Sequence, residues 1–192
     1  MTSVLFDLGF GFALGFSLTI PPGPMNAFMA FQSVRATRYG VAAGLGAMSA
    51  DLVLGLLVYG LHSTFDLSTE LRWVYLLGAG VLVYLGIGLL RKTDAAVPET
   101  TPGLRTYSKA LALGITNPFQ IVWWLTVGLA FAYLGGWVLF VGLFGAVAVW
   151  IVLFPWTIHL GAERRPGIAK AIIAVSAVLI FGFAAYFLFL AA

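Results

Sequence analysis

The stretch LTIPPGPMNAF, residues 18–28, places three prolines and a glycine in the middle of an apolar run. Each proline lacks a backbone N–H and clashes with the preceding turn, so Pro21-Pro22-Gly23-Pro24 must interrupt any helix there. Apolar sequence continues on both sides, from about residue 4 to residue 34. The stretch therefore predicts a broken helix inside a hydrophobic segment.

The composition indicates whether water or lipid surrounds that segment. Hydrophobic residues make up 61% of the 192 residues, charged residues only 9%, and the mean hydropathy is +1.03. One water-soluble core cannot bury that much apolar surface, so we expect an integral membrane protein. The chain has no cysteine, which excludes disulfides and thiolate metal sites.

Six apolar segments of membrane-spanning length follow one another along the chain. The first has no basic residue before its apolar stretch and carries Asp7, so we expect it to be a retained span and not a cleaved signal peptide. The first and fourth segments are interrupted, and the six cover residues 4–34, 40–61, 71–90, 108–134, 136–160 and 167–190.

The halves of the chain are separated by the polar, proline-containing stretch that begins RKTDAAVPETTPG at residue 91. We predict an all-α polytopic membrane protein with a three-helix repeat at 1–90, a cytoplasmic linker loop at 91–107 and a second three-helix repeat at 108–192. Because three is odd, the two repeats must have opposite orientations, as in inverted-repeat transporters.

Basic residues predict the orientation. Nine of the ten lysines and arginines flank the loops of one face, and Arg72 alone lies on the other. The positive-inside rule then places both termini outside a plasma membrane and the linker in the cytoplasm. This topology accounts for the pI of 9.4, so we expect no nucleic-acid partner.

A second break matches the first. Asn117-Pro118 interrupts the fourth segment, and ITNP at 115–118 resembles LTIP at 18–21, each being preceded by Ala-Leu-Gly. At a rise of about 1.5 Å per residue, both breaks lie roughly 15 Å from the cytoplasmic boundary, near the bilayer midplane. A single proline often only kinks a membrane helix, but two such breaks favour a polar site that faces protein or a water-filled cavity.

Asp51 is the one ionisable residue that the sequence places near the midplane, eleven residues into the second segment. An acidic residue there should face the bundle interior. No lysine or arginine is predicted at that depth, so Asp51 lacks an evident permanent partner and is protonated, cation-bound, or both in alternation. The structural alternative is a packing contact in which Asp51 accepts hydrogen bonds from the N–H groups of a broken helix.

Together these features resemble the LysE/RhtB family of amino-acid exporters. The resemblance rests on Pro-Gly-Pro at 22–24, a glycine-rich second helix that leads to Asp51, and Asn117-Pro118 in the fourth helix. Two positions depart from the family pattern: Ala50 stands where glycine is common, and Phe119 where lysine is common.

The resemblance implies efflux of amino acids or related small zwitterionic metabolites, coupled to an ion gradient, most simply protons. The residues agree with this, because a half-helix begins after each break and its N-terminus suits a carboxylate, while Asp51 suits an ammonium. The predicted substrate-binding or coupling residues are Pro21, Pro22, Gly23, Pro24, Asn26, Asp51, Asn117, Pro118, Gln120 and Trp123. The polar members among them, with Thr19 and Thr116, bind substrate or only cap the broken helices.

Several alternatives stay open. A divalent-cation or other small-solute exporter would need more oxygen ligands than one carboxylate provides. We expect no enzyme, cofactor or metal site, because Asp51 has no neighbouring base and His62 and His159 lie at separate span ends. Two small-residue motifs, Gly11-x3-Gly15 and Gly40-x3-Gly44, predict close helix packing, either within the fold or in a homodimer.

Overall fold

In a computed structural model, the structure describes residues 4–21, 23–61, 76, 79–84, 87, 102–128, 137–164 and 166–191. Within these ranges the chain is helical apart from short connections, and no strand occurs. The α-helices, numbered here in chain order, are α1 Val4–Thr19, α2 Pro24–Arg35, α3 Thr37–Leu61, α4 Pro102–Thr116, α5 Pro118–Trp123, α6 Trp137–Arg164 and α7 Pro166–Ala191. A π-helical turn, Trp124–Gly128, continues α5. The all-α prediction is confirmed.

Both predicted breaks occur. Helix α1 ends at Thr19 and α2 begins at Pro24, and the two helix axes meet at 78°. Helix α4 ends at Thr116 and α5 begins at Pro118, with Asn117 as the N-cap. Each new helix starts with a proline, which suits the first helical position because the missing N–H has no partner there. Pro22 lies outside the described residues.

Membrane-spanning length is found at the first, second and fifth of the six predicted segments, and the third, 71–90, is described only in part. Among the described residues, Thr37–Gly60 and Trp137–Arg164 are long and apolar enough to cross a bilayer, and the bent pair α1–α2 counts as a third, broken span. Helix α7 contains a shorter apolar stretch, Lys170–Tyr186.

The structure describes only the end of the predicted linker at 91–107. Helix α4 begins at Pro102, before the predicted start of the fourth span at residue 108. Pro102 occupies the first helical position, and polar residues such as Arg105 extend the helix beyond the apolar stretch on which the prediction rested. The rest of the linker lies outside the described residues.

Helix α6 packs against α1 through glycines. Gly11 lies against the backbone of Leu139, and Gly15 against the backbone of Leu143. The residue numbers of the contacting positions increase together along both helices, so α1 and α6 run parallel. Without a side chain at these positions the two backbones approach closely, which favours helix association in lipid.

Helix α6 also packs against α3, in the opposite direction. Gly40 lies beside Pro155 and Gly44 beside Ile151, so α3 and α6 run antiparallel. The sequence left open whether the motifs Gly11-x3-Gly15 and Gly40-x3-Gly44 pack within the fold or in a dimer. Within the described structure all four glycines are buried between helices of one chain.

Helices α3 and α4 run parallel and in register. Gly46 lies beside Tyr107, and Gly114 lies beside Ala50. Tyr107 also donates a hydrogen bond from its hydroxyl to Ser49 Oγ (2.9 Å). This register brings Asp51 of α3 level with the break that follows α4.

We predict that Gly142→Ala destabilises the fold and that Gly145→Ala does not. A Cβ at Gly142 would meet backbone atoms of α1, including Phe12 N at 2.9 Å, whereas at Gly145 the nearest atom is Phe12 Cδ2 at 3.7 Å. The first variant should lose roughly 1–3 kcal/mol of stability, as overpacked cores do. Thermal unfolding of both purified variants in detergent measures this, and equal midpoints would contradict the close packing of α1 on α6.

Candidate functional site

A cavity of about 330 Å³ lies at the first helix break, enclosed by α1, α2, α3, α5 and α6. The structure brings most of the predicted site residues together around it. The predicted residues that line the cavity are Pro21, Gly23, Pro24, Asn26, Asp51, Asn117, Gln120 and Trp123. Pro118 is buried but is not part of the lining.

Asp51 is 4% exposed and is held by two neutral donors. Gln120 donates from Nε2 to Asp51 Oδ1 (2.7 Å), and Trp124 donates from Nε1 to the same oxygen (2.8 Å). The sequence predicts no lysine or arginine partner for Asp51, and its partners among the described residues are these two neutral side chains. The packing alternative is corrected in one respect, because the donors are side chains and not the N–H groups of a broken helix.

The two hydrogen bonds of Asp51 share one carboxylate oxygen. Among the described residues both hydrogen bonds reach Oδ1, and Asp51 lines the cavity. A carboxylate oxygen can accept a hydrogen bond from an ammonium group or take up a proton. Asp51 is also the one ionisable side chain in the described cavity lining.

The second break positions Gln120. Asn117 Oδ1 accepts a hydrogen bond from Phe119 N (3.2 Å) and so caps α5, while Asn117 Nδ2 donates to Gln120 Oε1 (3.4 Å). Gln120 Nε2 then points to Asp51. The two amides and the carboxylate form one buried chain of hydrogen bonds, which fixes the amide of Gln120 with its donor towards Asp51.

The first break is held by Asn26. Its Nδ2 donates to Thr19 O (2.6 Å) and Pro21 O (3.0 Å), which satisfies carbonyl groups left free at the end of α1. Its Oδ1 accepts a hydrogen bond from Trp150 Nε1 (3.2 Å). The sequence left open whether Asn26 binds substrate or caps a helix, and the structure shows the capping role.

The N-terminus of α2 is open, in contrast to that of α5. Its N-cap is Gly23, no side chain caps it, and the first intrahelical bond runs from Ala27 N to Gly23 O (3.0 Å). The backbone amides of Met25 and Asn26 precede that bond. They carry the positive end of the dipole of a 12-residue helix, and both residues line the cavity.

The two threonines of the LTIP and ITNP motifs make equivalent contacts. Thr19 donates from Oγ1 to Gly15 O (3.0 Å), and Thr116 donates from Oγ1 to Ala112 O (2.8 Å). Each hydroxyl thus bonds the carbonyl group four residues earlier in its own helix. Among the sequence-predicted candidates, the hydroxyl groups of these two are therefore satisfied within the helices that precede the breaks.

Aromatic residues complete the cavity. Trp123 lines it as predicted, whereas the adjacent Trp124 is fully buried behind Asp51. Phe119, which stands where lysine is common, lines the cavity and stacks on Tyr186 of α7 with ring centroids 6.0 Å apart. The sequence analysis missed Trp150. Its depth in the fifth apolar segment is the same signal that indicated Trp123.

Of the two histidines, His159 is described by the structure, and it does not line this cavity. His159 lies near the end of α6, with Nε2 3.2 Å from Glu163 Oε1, and His62 lies outside the described residues. In the described part of the chain, no three His, Cys, Asp or Glu side chains come together as a metal site.

Comparison with known proteins agrees with this picture. The family described as LysE type translocator matches residues 16–190. The protein YcgF of Bacillus subtilis (strain 168), named as a candidate amino acid efflux protein, is 31% identical over 121 residues, 59% of this chain and 58% of that protein. A leucine efflux protein of Salmonella typhimurium (strain LT2) is 31% identical over 117 residues, 57% of this chain and 55% of that protein.

The matched region spans a little over half the length of each of these relatives. No solved structure matches the chain significantly. The long apolar helices, one pair of them broken, are typical of an integral membrane protein. Because the family match covers most of its length, the chain belongs to the LysE type translocator family.

We predict that Asp51→Asn preserves the fold, whereas Asp51→Leu does not. The Oδ1 atom of an asparagine can accept the same two hydrogen bonds, but leucine leaves the buried donors of Gln120 and Trp124 unsatisfied, at about 1–3 kcal/mol each. Thermal unfolding in detergent should show Asp51→Asn near the wild type and Asp51→Leu well below it. Equal midpoints for the two variants would contradict a stabilising role for these bonds.

Proposed function

We propose that the protein is a secondary active exporter of amino acids or related small zwitterionic metabolites, and that it exchanges them for protons across the plasma membrane. The observation that carries the proposal is the shared cavity of Asp51 and the open N-terminus of α2. The relatives named for amino acid efflux support the same substrate class.

The cavity is complementary to a zwitterion. The amides of Met25 and Asn26 and the dipole of α2 attract the substrate carboxylate, while Asp51 Oδ2 accepts a charge-assisted hydrogen bond from the ammonium group. The second break has fewer backbone amides available to an anion, because the N–H of Phe119 already donates a hydrogen bond to Asn117 Oδ1. Substrate therefore binds with its carboxylate towards the first break.

Proton coupling follows from competition at one oxygen atom. The ammonium group of the substrate and a proton both require Oδ2 of Asp51, so binding of one excludes the other. In the simplest antiport cycle, the carboxyl takes up a proton from outside and then exchanges that proton for substrate from inside. The donors on Oδ1 are neutral, and among the described residues no basic side chain lines the cavity to compete with the ammonium group.

The helix directions support six spans in two inverted repeats. Helix α3 is the second span of the first repeat and α6 is the second span of the second repeat. The two run antiparallel, as expected for inverted repeats, and α1 runs parallel to α6. The contact of Gly40 with Pro155 places the ends that carry Arg38 and Arg164 on one side. We assign that side to the cytoplasm, with both termini outside. The homodimer predicted from the sequence remains a prediction.

We predict that Asp51→Asn abolishes proton-driven efflux. The variant keeps the hydrogen bonds of Oδ1 but cannot titrate, so radiolabelled amino acid should no longer move against its gradient when a pH gradient is imposed on proteoliposomes. Substrate exchange without a pH gradient is expected to persist at a reduced rate. Asp7→Asn, a matched change near the start of α1, should leave efflux intact.

Two outcomes of this experiment would contradict the proposal. Concentrative efflux by Asp51→Asn with the pH dependence of the wild type would remove the coupling role. Flux of a divalent cation without amino acid flux, measured in parallel with the wild-type protein, would favour the cation-exporter alternative instead.

We also predict that cysteines introduced at Ser3 and Ala191 react with a membrane-impermeant thiol reagent in intact cells. The chain contains no cysteine of its own, so labelling reports these positions alone. A cysteine at Arg38 serves as the matched internal position and should react only after permeabilisation. The reverse pattern would refute the proposed orientation.

A further inference from the structure

A second cavity, of about 400 Å³, adjoins the first between α2, α6 and α7. Gly23, Asn26 and Trp150 line both cavities and so lie between them. The walls of the second cavity are apolar except for Asn26 and Ser176. Its volume falls within the range of small-molecule sites.

The partition between the cavities is the indole of Trp150. One hydrogen bond, from Nε1 to Asn26 Oδ1 (3.2 Å), ties it to α2. On α6 it stacks on Phe154, with ring centroids 5.0 Å apart and ring planes inclined by 12°. Phe154 itself lines the second cavity. A rotation of the indole that breaks this hydrogen bond and the stacking on Phe154 would join the two spaces.

The chemistry of the walls limits what can enter. A carboxylate or ammonium group needs polar partners when it leaves water, but the amide of Asn26 is already bound to Thr19, Pro21 and Trp150. Small side chains leave space for a ligand group in this cavity, among them Ala27 and Ala30 of α2 and Ala171 of α7. An aliphatic group fits these walls, and a charged group does not.

We propose that the second cavity receives the side chain of the transported amino acid, with Trp150 as the movable partition, and that the protein selects amino acids with large aliphatic side chains. The proposal rests on the proposed function, because it requires the charged head of the substrate at Asp51 and α2. It adds that the tail extends past Trp150 into the apolar space. Substrates with short side chains use the first cavity alone.

The test fills the second cavity without touching the first. Ala171→Leu places a larger side chain in the lining, and Ala174→Leu makes the same change at an exposed position of α7 outside both cavities. Initial rates of leucine and alanine efflux are measured for each in proteoliposomes. Since even one methylene in an apolar pocket changes discrimination by roughly 10–200-fold, Ala171→Leu should lower the leucine-to-alanine ratio at least about tenfold, and Ala174→Leu should not change it.

A second pair of variants keeps the test decisive if Ala171→Leu folds poorly. Val175→Phe lies in the cavity lining and Val178→Phe outside it, and both positions are largely exposed, at 57% and 72%. Only Val175→Phe should lower the leucine-to-alanine ratio. Trp150→Phe, which keeps an aromatic ring but loses the bond to Asn26, should lower the KM for leucine relative to that for alanine.

The outcomes separate this proposal from the proposed function. An unchanged ratio in both cavity variants, as expected if a lipid chain occupies the space, would overturn the subsite while transport itself persists. An equal loss of leucine and alanine efflux would also overturn it and indicate a common pathway. A wild-type protein that transports other amino acids but neither leucine nor alanine would overturn the subsite and leave the proposed function standing.

Discussion

The two hydrogen bonds to Oδ1 of Asp51 are the interaction on which the rest of the structure depends. A carboxyl in the middle of a membrane-spanning helix is costly unless donors reach it. Gln120 and Trp124 reach it because α3 and α4 run parallel in register and because the chain breaks at Asn117. The register, the break and the carboxylate are thus parts of one arrangement.

The two breaks have different chemistry despite their similar sequences. At Asn117-Pro118, the side chain before the proline caps the new helix and its amide orients Gln120. At the first break, Asn26 reaches backwards to the carbonyl groups of α1 and leaves the N-terminus of α2 uncapped. One half of the molecule therefore holds the carboxylate in place, while the other presents a helix N-terminus that no side chain caps at the same cavity.

Local chemistry made much of this predictable. Proline and glycine determine where a helix can continue, so both breaks were found from the sequence, and Asp51 was recognised by its depth. The donors to Asp51 were not found, because they lie 69 and 73 residues away and only the packing of α3 on α4 brings them close. The start of α4 was misplaced because hydropathy reports the apolar stretch and not the polar turns that extend the helix beyond it. The capping role of Asn26 depends on the angle between α1 and α2, which the order of residues does not specify.

Helix α6 connects these parts. It packs on α1 and α3 through glycines, which gives close backbone contact, but its link to α2 through Trp150 and Asn26 is a single hydrogen bond. Interhelical hydrogen bonds in membranes contribute about 0.6 kcal/mol on average, so this link is weak compared with the glycine contacts. Asn26 uses Oδ1 for Trp150 and Nδ2 for the end of α1. Separation of Trp150 from Asn26 would therefore leave the first break capped, and α1 and α2 can keep their relative geometry while the wall between the two cavities opens.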